Sequence, residues 1–501
     1  MDPRRRWPIA IFVIVSAAAA GASISTRRPT ASASARPPWD PTAEARASAG
    51  KTRNVEANVP PQCYAKLTGK SNTCWTCHTA GEPPNTLVDA DLQTTYSFSD
   101  FARENHWRNL FDPPPQVTIG DDDLLAWIRC DNYDPLRESL RGAAFEGFVP
   151  DLDFAAGFDE DGFARDGSAW RAIRYKPFPG AFWPTNGSAG DVFVRLPKSF
   201  ATDEAGVPSR RHLIENFAIL ERVARGEANL PASYVGGAHG IAVERLVLPI
   251  GIELLHTVRY LDPDAPNLLS KRMKEVRYAK KAHGVDAWGR QRAYEKEADE
   301  KDEGKVPVYA GSPTAGLKNA FGWQLQGWIE DASGRLRLQT EEEHRFCMGC
   351  HTSLGVTVDS TFSLARKVPG RDGYRWQDLR GMADAPQRGR TEPETLEYFR
   401  RAGGGDDFRA NDELLGRFFP GGTLDEARLR ALSHDLAAIV APSRARALAL
   451  NRAYLAIVRT QRFAFGRDPV ARPLTGILTT IAEEATGVGE PLRDGRLQLH
   501  W

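Results

Sequence analysis

Two pentapeptides of one design constrain this chain more than anything else in it. They are CWTCH, from Cys74 to His78, and CMGCH, from Cys347 to His351. The chain has 6 cysteines and 10 histidines in 501 residues, so four of its six cysteines sit in these two motifs. Cys-x-x-Cys alone suits a disulfide, a redox-active dithiol, half of a zinc site or a pair of thioether attachment points. The histidine that follows each pair separates these possibilities. A shared Cys₄ zinc site would join pairs 347 − 74 = 273 positions apart and leave both histidines without a role.

Thioether chemistry uses all five positions. Two thiols add to the two vinyl groups of a haem, and the adjoining imidazole then lies under the iron. At these two pentapeptides, about ten residues in all, the chain resembles c-type cytochromes, specifically a di-haem protein. That resemblance implies two covalently bound haems c, attached through Cys74 and Cys77 and through Cys347 and Cys350. It also implies His78 and His351 as proximal iron ligands. It does not extend to the bacterial di-haem cytochrome c peroxidases, whose haem motifs lie closer together.

The sixth ligand separates a carrier from a haem enzyme. Of four methionines, Met1 leaves with the signal and Met348 stands between its own motif's cysteines. Met273 lies in a charged stretch and reads as packing. Met382, in LRGMADAP, follows His351 by 31 positions and is the candidate distal ligand of the second haem, with a half-buried packing methionine the alternative. His106, between Phe101 and Trp107, is the expected distal ligand of the first, with His239 and His256 as substitutes.

The N-terminus points to export. Arg4 to Arg6 precede a short apolar stretch, and Ala20-Gly21-Ala22 fits a signal-peptidase site. The apolar stretch is shorter than the roughly 20 residues a membrane span needs, so membrane contact is expected only through a transient signal peptide. The absence of a cysteine at the cleavage point argues against a lipid anchor there. The periplasm follows as the expected compartment. There an oxidising environment permits a disulfide between Cys63 and Cys130, with Cys63 as a free thiol near the first haem the alternative.

The organisation expected is a signal peptide over 1–22, a disordered linker over 23–60, a first haem region over 61–210, a helical region over 211–310, and a second haem region with C-terminal helices over 311–501. Apolar periodicity predicts helices after Asp121, over 213–223, over 424–441 and over 444–465. The apolar run 241–261, broken at Pro249, and the charged run 267–304 also read as helical. A hairpin turning at Asp331 to Gly334 is expected in the segment 311–340. The fold class is thus mainly α with irregular loops and short β segments, with cytochrome c-like haem-binding regions. Net charge of zero gives no footprint for nucleic acid. The function expected is electron transfer with an unidentified redox partner protein. The alternative is a haem oxidoreductase in which one haem feeds electrons to a catalytic one.

Overall fold

The computed structural model describes residues 39–66, 73–83, 93–112, 117–142, 144–180, 182–362, 364–405, 408–466, 470–482, 485–488 and 494–501. The expected signal peptide, and the linker up to residue 38, lie outside them. The rest of that linker is ordered. It carries helix α1 (Ala43–Ser48), whose Ala45 is fully buried.

Next along the chain come α2 (Asp121–Arg129), α3 (Tyr133–Leu140), β1 (Arg171–Ile173), β2 (Ala189–Arg195) and α4 (Arg210–Ala224). They are followed by β3 (Glu253–Leu261), β4 (Leu269–Lys281), α5 (Ala287–Asp302), β5 (Ala310–Ser312), β6 (Gly316–Lys318), β7 (Trp323–Glu330) and β8 (Leu336–Leu338). The C-terminal part is helical: α6 (Glu341–Met348), α7 (Glu394–Ala402), α8 (Asp412–Phe418), α9 (Glu426–Leu432), α10 (Leu436–Val440) and α11 (Arg444–Thr460).

The strands form one antiparallel sheet of eight, in the order β1-β2-β3-β4-β7-β6-β5, with β8 paired to β7. This overturns the expectation of a mainly α chain with cytochrome c-like regions. The run 241–261 is not a kinked helix, because Pro249 precedes a turn and the residues after it pair as β3 with β2 and β4. The charged run 267–304 divides into β4 and α5, so Met273 is a buried strand residue. The β7–β8 hairpin turns at Asp331–Gly334 as expected, its Asp331 Oδ1 accepting from the Ser333 and Arg335 amides at 2.9 Å.

Each face of the sheet has its own cover. Phe193, Tyr278 and Trp328 on one side meet aromatics of the segment 144–170, including Phe148 stacked on Tyr278 at 3.8 Å between centroids. The opposite face, with Val192, Val194, Leu254, Ala279 and Leu325, packs in one core with Phe217 and Leu220 of α4 and Cys347 and Met348 of α6. Further along, Tyr260 and Ile329 pack with Leu124 and Ile128 of α2 and Leu455 and Val458 of α11. A separate helical core gathers Leu396, Phe399, Leu414, Phe418 and Ile439 around Met382 and Trp183. Residues Asp40–Trp501 form one compact unit.

Candidate functional site: a thiol-lined chamber

Each motif takes its shape from its own start. Thr340 opens α6 with a capping box, its hydroxyl accepting from the Glu343 amide at 3.3 Å while the Glu343 carboxylate accepts from the Thr340 amide at 2.8 Å. The helix runs into the second motif, where the Cys350 and His351 amides donate to the Cys347 carbonyl at 3.2 and 3.0 Å. The first motif is a 3₁₀ turn, Cys74–Thr76, with the Cys77 and His78 amides donating to the Cys74 carbonyl at 3.1 and 2.7 Å.

Though 273 positions apart, the motifs meet. A Cβ placed on Gly355 would stand 2.1 Å from the Thr79 carbonyl oxygen, and one on Gly349 would stand 2.2 Å from the Asn58 carbonyl oxygen. Only glycine lets these backbones approach so closely. Between them lies a cavity of about 240 Å³. Cys63, Cys74, Cys77, His78 and Cys350 line it, with Tyr96, Phe98, Phe178, Phe182, Tyr309, Phe346, Met348 and Leu354 completing walls that are mainly apolar. Lys301, Lys305 and Glu297 are its charged lining residues. Glu297 accepts from the Thr352 hydroxyl at 2.7 Å and is bonded to the Ser353 hydroxyl.

Two of the thiols, Cys63 and Cys74, are held protonated. Burial, reinforced by Cys77, Cys74 and Cys350, pushes the Cys63 thiol well up. Burial and then Cys77 push Cys74 up to about 12. Cys63 and Cys130 are both free, so the expected disulfide does not form: Cys63 faces the chamber, while Cys130 is exposed at the end of α2.

The other expected site residues lie elsewhere. Cys347 is turned into the apolar core rather than the chamber. His351 has Nδ1 3.0 Å from the Ser360 carbonyl and packs edge-on against Phe362, and burial pushes it down to about 4. His106 has Nε2 3.0 Å from the Phe101 carbonyl and stacks on the Phe101 ring at 4.2 Å. Met382 is 2% exposed in the helical core. Neither His106 nor Met382 lines the chamber. Sequence reasoning passed over Tyr96, Phe98, Phe178 and Phe182, because scattered aromatics carry no signal until the fold gathers them.

Residues 89–416 match a family model whose description is of a lipoprotein. A protein of Aquifex aeolicus (strain VF5) named as an uncharacterized lipoprotein is 31% identical over 503 residues, covering 83% of this chain and 86% of that protein. No solved structure matches the chain. Both matches are to lipoproteins and neither is to a cytochrome. Among the described residues, no three or more His, Cys, Asp or Glu side chains come together in a way that would hold a metal ion. With Cys347 turned from the chamber and the expected distal ligands engaged elsewhere, the residues do not fit two covalent haems c. The assignments of haem, electron transfer and haem catalysis are therefore withdrawn, and with them the iron-ligand roles of His78 and His351.

Proposed function

The chain belongs to this lipoprotein family and is exported, and from that premise we propose that it is held at the periplasmic face of a membrane, where its chamber binds an apolar molecule. Among the described residues no helix is long and apolar enough to cross a membrane. The attachment is proposed from the relative's description as a lipoprotein, against the expectation drawn from the missing cysteine at the cleavage point. The observation that carries the binding role is the chamber itself. Both Cys-x-x-Cys-His segments and three aromatic-bearing segments, distant in sequence, converge on one mainly apolar cavity. Enclosed apolar cavities with a few polar groups are the usual form of small-molecule sites. Cys74, Cys77, His78 and Cys350 serve in it as polarisable wall groups that pack against the ligand. Dithiol exchange is the other activity a Cys-x-x-Cys pair suggests, and it needs a thiolate nucleophile. A Cys74 thiol pushed up to about 12 is protonated at any working pH, which favours binding over exchange.

Titration with the neutral fluorophore N-phenyl-1-naphthylamine tests this. One saturable site per chain is expected, with a blue-shifted emission. Val306 also lines the chamber, and Val306→Trp, which fills it, is expected to weaken binding about tenfold or more while leaving the circular dichroism spectrum unchanged. Absence of saturable binding to the wild type overturns the assignment.

A further inference from the structure

His256 and Arg277 stand opposite each other on β3 and β4, on the sheet face that carries α6 and the second motif. Their partners in register are Val192 on one side and Gly327 on the other. The His256 Nε2 is buried without a hydrogen-bond partner, at a place where a Cβ on Gly190 would come within 2.9 Å of it. Buried polar groups are nearly always hydrogen-bonded, so an imidazole held here calls for a partner the protein itself does not supply.

Arg277 adds the charge. Its Nε donates to Glu275 Oε2 at 2.8 Å, and Nη2 lies 2.7 Å from the same oxygen. A guanidinium has five donors, and Glu275 is the only acceptor described for this one. Phe182 joins the pair to the chamber. Its ring lies 4.3 Å from the Arg277 guanidinium and 6.2 Å from the His256 ring, and it lines the chamber as well. Phe182 holds φ at +48°, a left-handed conformation that a bulky residue adopts only when its surroundings impose it. Cys350, another wall residue, lies within electrostatic reach of the guanidinium.

We propose that His256 and Arg277 form a polar subsite beside Phe182 that takes the anionic head group, of the carboxylate or sulfonate class, carried by the molecule bound in the chamber. The subsite rests on the binding role given above. An aromatic arginine contact and an unsatisfied imidazole, reached from the apolar cavity past its wall residue Phe182, fix the ligand's orientation, its apolar body toward Phe98 and Phe346 and its head toward the sheet.

The test pairs two fluorophores that share one aromatic core: 1-anilinonaphthalene-8-sulfonate, which is anionic, and N-phenyl-1-naphthylamine, which lacks the sulfonate. The variants are His256→Phe, nearly isosteric and without the imidazole, and the double variant Glu275→Gln/Arg277→Gln, which removes both charges together so that neither is stranded. Circular dichroism checks that each is folded. In either folded variant, affinity for the sulfonate is expected to fall about tenfold or more, the scale of one charge-assisted hydrogen bond, while affinity for the neutral probe stays within about twofold. Unchanged sulfonate affinity in both variants overturns the subsite and leaves the chamber standing. Equal loss of both probes also overturns it, since the variants would then have altered the chamber as a whole. If neither probe binds the wild type, the chamber reading itself fails, and the subsite with it.

Discussion

Six cysteines of one chemical type sit in environments different enough to separate them by reactivity. Cys130 is exposed on the C-cap of α2, where water and reagents reach it. Cys63 and Cys74 face the chamber, and burial raises both thiols, Cys74 to about 12. Alkylation proceeds through the thiolate, so its rate at fixed pH falls roughly tenfold for each unit by which the thiol is raised. With iodoacetamide at pH 8, Cys130 is expected to be modified at least about a hundredfold faster than Cys63 or Cys74 in the native protein. Peptide mapping by mass spectrometry after timed quenching reads all three. Comparable rates for Cys74 and Cys130 would place the Cys74 thiol in solvent and undo the apolar description of the chamber wall. The two pentapeptides were legible in the sequence as a special pair, and both do lie at the site. Their meeting was not legible, because the contact of Gly355 with Thr79 joins segments that no local pattern relates. Nor could spacing show that Cys347 turns inward while Cys350 lines the cavity.

At the scale of elements, the helices that read correctly are those with one apolar face and a start signal. Asp121, Asp122 and Asp123 fill the first turn of α2, and Ser443 caps α11 by accepting from the Arg446 amide. Strands β3 and β4 misled because they are central and covered on both faces. Sequence rules take charge as a sign of exposure, and β4 buries its charges instead. Lys274 donates to the Gly187 carbonyl at 2.7 Å, Lys281 pairs with Asp359 at 2.7 Å, and Arg272 pairs with Glu330 at 3.0 Å. Arg272 also donates to the Trp127 carbonyl at 2.6 Å, which ties β4 to α2. Burial pushes the Glu330 carboxyl up to about 7 in spite of Arg272, and Tyr260 donates to it at 2.6 Å. Removing the arginine would leave that carboxyl in the core with the Tyr260 hydrogen bond and the charge of Lys274. Arg272→Ala is expected to cost about 3–5 kcal/mol in urea unfolding, the range for breaking a buried pair from one side. Adding Glu330→Gln to Arg272→Ala is expected to change stability at pH 7 by less than about 1 kcal/mol, because the carboxyl, raised to about 7 even beside Arg272, takes up a proton once the guanidinium is gone. If the double variant is less stable than Arg272→Ala by more than that, the carboxyl is held by something other than the guanidinium.

Across the whole molecule, the sheet and the C-terminal helices are joined by a cluster of buried charges drawn from distant segments. Glu394 at the start of α7 takes Lys176 Nζ at 2.6 Å and Arg366 Nη1 and Nη2 at 2.9 and 2.5 Å. Lys176 also pairs with Asp384 at 2.7 Å, and Arg366 reaches the Leu497 carbonyl at 3.2 Å. The side chains of Lys176, Asp384, Glu394 and Arg366 are each no more than 2% exposed. Burial alone would raise the Glu394 carboxyl, but Arg366 and Lys176 outweigh it and hold it down at about 2, against 4.5 ordinarily. A carboxyl depressed in the folded state contributes stability that is complete above its unfolded value. That contribution is lost as pH falls from about 4.5 through 2, where the unfolded chain takes up the proton first. At 1.36 kcal/mol per unit the loss is roughly 3 kcal/mol across that window. Glu394→Gln strands part of the charge on Arg366, so it is expected to be about 3–5 kcal/mol less stable than the wild type at pH 7. It has no proton to gain, however, so its urea midpoint is expected to shift less than the wild type's between pH 5 and pH 2. The deficit at pH 7 alone would follow from any damage to a buried pair, and the narrowing of the gap in acid is what identifies Glu394 as the titrating member. Equal acid sensitivity in the two proteins would assign the titration to other carboxyls and leave the cluster a purely steric junction.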